Sequence, residues 1–160
     1  MGRKAADILL VEDDNVEVEL TLHALRKHCA ACLVDVARDG EEAIDYLSYR
    51  GAYVRRESAQ PRLVVLDINL PRKSGIEVLA AIKGDVRMQL IPVVMLTSSR
   101  DAEDVSESYR RGANGYVVKP LDFGQFDQVM GSVCRYWLFL NSAPRISEPL
   151  GAAPAVWRSA

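Results

Sequence analysis

The chain has 160 residues and a formal net charge of −2, which suits one compact domain with a short tail and is too small for two ordinary enzyme domains. Its hydrophobic fraction of 49% excludes disorder throughout, and its 20 basic residues against 22 acidic ones argue against a nucleic-acid binder that works by bulk charge. No apolar run is long enough for a secretory signal or a membrane span, so a cytoplasmic, reducing location is the default expectation.

Short apolar segments alternate along the chain with segments of helical periodicity. The predicted elements are strand 8–11, helix 15–29, strand 32–37, helix 41–49, strand 63–66, helix 76–83, strand 93–96, helix 101–111, strand 116–118 and helix 121–137. Continuous apolar runs such as residues 63–66 are typical of strands buried on both faces. Alternation of this kind favours an α/β fold, a doubly wound parallel sheet with helices on both faces.

Two segments lie outside this alternation. Residues 50–61 are polar and basic, and predict a long loop or a loop with a short helical extension. Residues 141–160 contain three of the seven prolines and predict an irregular tail after a domain that spans residues 1–140. The last helix ends in Trp137, Leu138, Phe139 and Leu140, which are apolar all round, so we predict a dimer contact in this region.

The three cysteines, Cys29, Cys32 and Cys134, are too few for a disulfide framework in a chain of this length. Cys29 and Cys32 form a C-x-x-C pair, but the pair leaves a helix and enters a strand, which is the reverse of a redox motif. There is no second pair to complete a zinc site. We therefore expect no redox or metal function for this pair.

The polar residues that follow four of the predicted strands are the candidates for chemistry. Ligands bind beyond the carboxyl ends of the strands in an open α/β sheet. The residues at these ends are Glu12, Asp13 and Asp14 after the first strand, Asp67 and Asn69 after the third, Thr97 after the fourth, and Lys119 and Pro120 after the fifth. The sequence thus predicts carboxylates, a hydroxyl and an ammonium at one edge of the sheet.

Such a group of side chains suits the transfer of phosphate to an aspartate. Clustered carboxylates need a cation, and Mg²⁺ takes one or two protein carboxylates while keeping several waters. Asp67 is a candidate nucleophile, since carboxylates form acyl phosphates. Mg²⁺, Thr97 and Lys119 would then compensate the charge on the phosphoryl oxygens.

The segments ILLVEDD, LVVLDINLPRKSG, PVVMLTSS and ANGYVVKP resemble the receiver domain of two-component response regulators. The resemblance is specific because four motifs occur in the right order, each at the end of a predicted strand. It covers roughly residues 7–140 and implies a flavodoxin-like fold with strand order 2-1-3-4-5. It also implies a signalling function rather than a conventional enzyme, with phosphate accepted from a histidine kinase and later lost to water.

The resemblance implies a role for each site residue. Asp67 resembles the phosphoacceptor, and Glu12 and Asp13 resemble the acidic pair that holds Mg²⁺, with Asp13 as the direct ligand and Glu12 acting through water. Asn69 is at the position that offers a backbone carbonyl to the metal. The remaining matches are Thr97 and Tyr116 with the switch hydroxyl and switch aromatic, Lys119 with the lysine that pairs with the phosphate, and Pro120 with a proline after a cis peptide bond. Asp14 has no implied role.

The long loop after the second helix, the segments DINLPRKSG and LTSSRDAEDV, and the chain end RYWLFL resemble the single-domain regulators paired with phytochrome histidine kinases. This resemblance implies a phytochrome-type kinase as the partner, and an output by protein contact or by phosphorelay to a further protein.

Three other functions remain alternatives. A haloacid-dehalogenase-type phosphatase normally has an acid/base aspartate two residues after its nucleophile, where this chain has Asn69. A flavodoxin needs a phosphate-cradling loop after the first strand, where Glu12, Asp13 and Asp14 would repel the phosphate. A degenerate receiver that acts only as a scaffold would not need the complete set of site residues.

Overall fold

The computed structural model describes residues 5–57, 59–144 and 146. Its five strands are β1 (Ile8–Val11), β2 (Val34–Ala37), β3 (Leu63–Leu66), β4 (Val93–Thr97) and β5 (Gly115–Val118). Its α-helices are α1 (Asn15–His28), α2 (Gly40–Leu47), α3 (Gly75–Gly84), α4 (Ala102–Arg110) and α5 (Phe123–Cys134). The elements occur in the predicted alternation, with ends close to the predicted ones.

The strands form one parallel sheet in the order β2-β1-β3-β4-β5. This order confirms the predicted flavodoxin-like fold. Val11 pairs with Leu66, and Leu66 pairs with Met95, so β1, β3 and β4 end side by side. The residues that follow these strands therefore meet at one edge of the sheet.

The core consists of two apolar layers, one on each face of the sheet. Leu9, Val64 and Leu66 face the layer that contains α2 and α3. Leu10 and Val65 face the opposite layer, which contains α1 and α5. Successive residues of a strand point to opposite faces, so a strand covered on both faces needs apolar residues at every position. This is why the continuous apolar runs predicted the strands well.

Each α-helix begins after a side chain that accepts hydrogen bonds from the N–H groups of its first turn. These N-caps are Asp14, Asp39, Ser74, Asp101 and Asp122. Asp14 Oδ1 accepts from the N–H groups of Val16 and Glu17 at 2.8 and 3.0 Å. Capping satisfies backbone donors that have no partner within the helix. Asp14, which had no implied role, therefore starts α1.

The segment between α2 and β3 contains a short 3₁₀ turn, Gly51–Tyr53, as the alternative of a short helical extension predicted. Arg56 lies over the rings of Tyr46 and Tyr49, 4.1 and 4.2 Å from their centroids. Its guanidinium also donates to the backbone carbonyls of Tyr46 and Ala59. This arginine thus packs the segment against α2.

Helix α5 continues into a π-helical turn, Arg135–Leu140. Leu138 is buried there, whereas Phe139 and Leu140 expose about two thirds of their surface, 66% and 65%. Core packing therefore explains only part of this apolar segment, and the predicted dimer contact stays a prediction. Most of the predicted tail, residue 145 and residues 147–160, lies outside the described residues. Within the described part of the chain, no helix has the length and apolar character needed to cross a bilayer.

Two details of the structure correct the sequence analysis. Cys29 and Cys32 form a disulfide, because the turn between α1 and β2 brings their Cα atoms to 5.5 Å, which is within disulfide reach. The peptide bond between Lys119 and Pro120 is trans, since no cis bond occurs among the described residues. Trans is the favoured isomer even before proline, by about 0.5–1 kcal/mol. The cis bond implied by the resemblance is therefore wrong for this structure.

Candidate functional site

The acidic residues of the site follow two neighbouring strands. Asp67 comes directly after β3, and its N–H donates to the carbonyl of Val11, the last residue of β1, at 3.1 Å. Glu12 follows Val11, and both Glu12 and Asp67 are buried, with 3% and 8% of their surface exposed. Asp13 is exposed at the same edge. The structure thus brings the predicted carboxylates together at the ends of β1 and β3.

Lys119 reaches these carboxylates from β5. Its N–H donates to the carbonyl of Thr97 at 2.8 Å, which continues the pairing of β4 and β5 by one residue. Its buried ammonium lies 2.7 Å from Glu12 Oε2 and 3.1 Å from Asp67 Oδ2. A third carboxylate, Glu17 Oε2 on the first turn of α1, lies 3.4 Å away. The Lys119 ammonium therefore forms ion pairs with three acidic side chains.

The charges of this group affect one another. Burial alone favours the neutral amine of Lys119, but the hydrogen bond to Glu12 and the charges of Asp67, Glu12 and Glu17 together raise its pKa. Burial raises the pKa of Glu12, and the hydrogen bond and charge of Lys119 offset part of that rise. Lys119 thus stays charged at neutral pH. Removing one partner of such a buried ion pair costs about 3–5 kcal/mol, because the other charge is left uncompensated.

Thr97 and Tyr116 are connected through the loop that follows β4. Thr97 is fully buried, and its Oγ1 accepts from the N–H of Ser99 at 3.3 Å. The Tyr116 hydroxyl donates to the carbonyl of Ser99 at 3.1 Å, and the Ser99 hydroxyl lies 2.6 Å from Asp104 Oδ2 on α4. Ser99 therefore contacts both predicted switch residues and also anchors the loop to α4.

Gly75, the first residue of α3, makes the closest approach of two backbones at the site. A Cβ atom at Gly75 would lie 1.9 Å from the carbonyl oxygen of Asp67 and 2.8 Å from Cα of Ile68. The N–H of Gly75 also donates to the carbonyl of Ile68 at 2.8 Å. Only glycine allows this approach, which brings the start of α3 under the backbone of Asp67.

The oxygen atoms at this edge have the chemistry that a divalent cation requires. No three His, Cys, Asp or Glu side chains form a metal-binding group among residues 5–57, 59–144 and 146, and Lys119 pairs with both Glu12 and Asp67. Mg²⁺, however, needs only one or two carboxylates, with waters and carbonyls as its other ligands. Asp13 is exposed, and Asp67 Oδ1 accepts a long hydrogen bond, 3.3 Å, from the N–H of Asn69. Asp13, Asp67 and the carbonyl of Asn69 therefore fit such an ion.

Sequence reasoning missed three residues of this site, namely Glu17, Ser99 and Gly75. The position of Glu17 near the site could have been predicted from the sequence. Glu17 comes three residues after the N-cap Asp14, in the first turn of the helix that follows β1. Ser99 and Gly75 act through backbone contacts, which residue type alone does not reveal.

Comparison with known proteins identifies the family. Residues 8–130 match the model of the response regulator receiver domain. The response regulator Rcp1 of Synechocystis sp. is 36% identical over 137 residues, which cover 86% of this chain and 92% of Rcp1. A crystal structure of the Mn²⁺-bound form of Rcp1 has a TM-score of 0.80 at 34% identity and covers 89% of this chain and 99% of that one.

Two further solved structures are similar to this chain. The phosphorylated cyanobacterial phytochrome response regulator RcpA has a TM-score of 0.82 at 36% identity, covering 88% of this chain and 99% of RcpA. The bacteriophytochrome response regulator AtBRR has a TM-score of 0.70 at 46% identity, covering 88% of this chain and 100% of AtBRR. The chain therefore belongs to the family of response regulator receiver domains, which are signalling modules of two-component systems rather than conventional enzymes.

Proposed function

We propose that this chain accepts a phosphoryl group on Asp67 from a histidine kinase and passes the signal on by protein contact or phosphorelay. The observation that carries the proposal is the buried Asp67 carboxylate, 3.1 Å from the Lys119 ammonium at the end of the sheet. The proposed receiver domain spans residues 1–140, followed by a tail at 141–160. We also propose a cytoplasmic location for this chain.

The roles of the side chains follow from their chemistry. A carboxylate oxygen of Asp67 attacks the phosphorus, a new O–P bond forms, and the bond from phosphorus to the donor breaks with its electron pair. Lys119 and the hydroxyl of Thr97 compensate charge on the transferred oxygens. Tyr116 and Thr97 both form hydrogen bonds with Ser99, so a movement of Thr97 would change the position of Tyr116 and with it the surface formed by α4 and β5.

Receiver domains bind a divalent metal, and we propose Mg²⁺ for this chain. Asp13, Asp67 and the carbonyl of Asn69 would hold the ion, and Glu12 would act through a water molecule. When bound, Mg²⁺ would supply positive charge that lowers the repulsion between these carboxylates and an incoming phosphate. We also propose that water later cleaves the acyl phosphate, releasing inorganic phosphate and restoring Asp67.

The proposal is tested by incubating the chain with acetyl phosphate, with Mg²⁺ or with excess EDTA. We expect one phosphoryl group per chain in Mg²⁺ and little in EDTA, measured by intact mass. Reduction of the acyl phosphate with borohydride and peptide mapping would locate the group on Asp67. Labelling that is equal in EDTA, or that maps to another residue, would contradict the proposed site.

The surface beside the site supports docking of a kinase. Val16 on α1 and Leu121 and Phe123 after β5 are exposed by 67%, 99% and 50%. Leu121 and Phe123 border Lys119, since they line the same cavity as the lysine, and Val16 directly precedes Glu17, which lines that cavity too. Exposed apolar groups of this kind mark protein–protein contacts. The similarity to RcpA and AtBRR supports a phytochrome histidine kinase as the partner.

Val16→Asp should slow phosphotransfer from an autophosphorylated phytochrome histidine kinase about tenfold or more, as expected for a hot-spot residue of an interface. Labelling by acetyl phosphate should stay unchanged, because the variant keeps the catalytic side chains and an acidic residue suits the first turn of a helix. Val54→Asp is the matched control, since Val54 is also 67% exposed but lies in the segment between α2 and β3. Equal kinase-dependent rates for the two variants would contradict docking on α1.

We also propose a homodimer that forms through the exposed face of the π-helical turn. Phe139→Glu should convert a dimer into a monomer in sedimentation velocity, because a charge on this apolar face is costly to bury. Val86→Glu is the control, since Val86 is 76% exposed but lies after α3, outside this turn. A wild-type chain that sediments as a monomer at all concentrations would refute the dimer.

A further inference from the structure

We propose that Glu17 is a positioning residue that holds the Lys119 ammonium back from the phosphoryl group and so slows both phosphorylation and dephosphorylation of Asp67. This inference rests on the proposed function and deepens it. It concerns a carboxylate that belongs neither to the phosphoacceptor nor to the proposed metal ligands.

Three carboxylates compete for the Lys119 ammonium. Its ammonium has three protons and faces three carboxylates, at 2.7 Å for Glu12, 3.1 Å for Asp67 and 3.4 Å for Glu17. A phosphoryl group on Asp67 brings new anionic oxygens that need the same ammonium. Each carboxylate already paired with Lys119 competes with those oxygens.

The competing carboxylates of Glu12 and Glu17 differ in exposure to solvent. The Glu12 side chain is only 4% exposed, whereas that of Glu17 is 38% exposed. Glu12 is also engaged by the N–H of Asp14 at 3.1 Å, and it belongs to the proposed metal site. Glu17 is not among the proposed metal ligands, so it can remain beside Lys119 when the site is loaded.

The fold also holds Glu17 in place. Its N–H donates to the N-cap Asp14 at 3.0 Å, which ties the first turn of α1 to the end of β1. Glu17 and Lys119 also line a cavity of about 140 Å³ between α1 and the segment after β5. The side chain thus has a fixed base and room for its carboxylate to follow the ammonium.

The physical consequence is a slower reaction in both directions. In each step charge on the phosphoryl oxygens must be compensated in the transition state, and Lys119 does this less well while Glu17 holds it. A unit charge several ångströms from the reacting atoms, in a partly solvated site, changes a rate by roughly three- to tenfold. We therefore expect Glu17→Gln to accelerate both phosphorylation by acetyl phosphate and the later hydrolysis by about that factor.

The test compares Glu17→Gln with Glu19→Gln, which makes the same change of charge on the exposed side of the same helix. Phosphorylation is started with acetyl phosphate and Mg²⁺, and hydrolysis is followed after the donor is removed. We expect Glu19→Gln to match the wild-type chain within twofold in both rates. Equal rates for the two variants would overturn the inference.

The hydrolysis rate separates positioning from simpler effects. Repulsion between Glu17 and an anionic donor would affect phosphorylation alone, because the water that attacks the acyl phosphate is neutral. A merely structural role would slow both steps in the variant. Either result would overturn the inference, and only acceleration of both steps supports it.

The same experiment distinguishes this inference from the proposed function. Loss of the label in Asp67→Asn together with equal rates for Glu17→Gln and Glu19→Gln would refute the role of Glu17 alone. A label retained by Asp67→Asn would refute the phosphoacceptor itself.

Discussion

Asp67→Asn is expected to lower phosphoryl uptake from acetyl phosphate by about two orders of magnitude or more, since the amide is not a nucleophile that forms an acyl phosphate. The fold should survive this change. Asparagine has the same shape as aspartate, and its carbonyl oxygen can still accept a hydrogen bond from Lys119, which keeps its ion pair with Glu12 at 2.7 Å. Uptake is measured by intact mass over a time course in Mg²⁺.

Asp14→Asn provides a matched control in the same acidic cluster. Asp14 caps α1, and asparagine is an N-cap of similar quality. This variant should therefore be labelled at close to the wild-type rate and unfold at a similar temperature. If Asp67→Asn were labelled at the same rate as Asp14→Asn, Asp67 would not be the phosphoacceptor.

The second large effect is expected from Gly75→Ala. The added methyl would lie 1.9 Å from the carbonyl oxygen of Asp67, so either β3 or the start of α3 must shift. Overpacking against backbone atoms cannot be relieved by a rotamer change, and we expect a loss of about 3 kcal/mol in the free energy of unfolding. For a chain of this size that corresponds to a melting temperature lower by roughly 10 °C. Phosphorylation should fall too, because the clash displaces Asp67.

Gly84→Ala makes the same change at the other end of the same helix. A Cβ atom at Gly84 would meet nothing within 4 Å, and Gly84 does not have a positive φ. Alanine is the better helix former, so this variant should be neutral or more stable by up to about 1 kcal/mol. Urea unfolding followed by circular dichroism would measure both variants. Similar stabilities for the two would show that the close approach at Gly75 is not required.

The fold was predictable because each element carries its own local pattern. Residues 63–66 are apolar at every position, as a strand covered on both faces requires, and the structure buries all four. Because strands alternate with helices and the crossovers between parallel strands are right-handed, few sheet topologies are compatible with this order of elements. The π-helical turn after α5 was less predictable, because its apolar residues Phe139 and Leu140 remain exposed instead of packing into the core.

Each candidate site residue could also be predicted from the sequence, since Asp67, Thr97 and Lys119 each come at the end of a strand or directly after it. Their shared edge followed from the parallel sheet. The disulfide between Cys29 and Cys32 could not be predicted from the sequence, because its formation depends on the conformation of the turn between α1 and β2. The sequence spacing alone is compatible with a free pair.

The alternation of strands and helices could be predicted from the amino-acid sequence, as could the polar groups at the strand ends, because hydrophobic periodicity and residue chemistry are local properties. Which of these polar groups share a hydrogen-bond or ion-pair partner depends on the folded chain. Glu12, Asp67 and Glu17 meet at Lys119 although Lys119 is more than fifty residues from Asp67. Distances between side chains on different elements depend on packing across the sheet, and the close approach of Gly75 to Asp67 likewise depends on how α3 packs beneath β3.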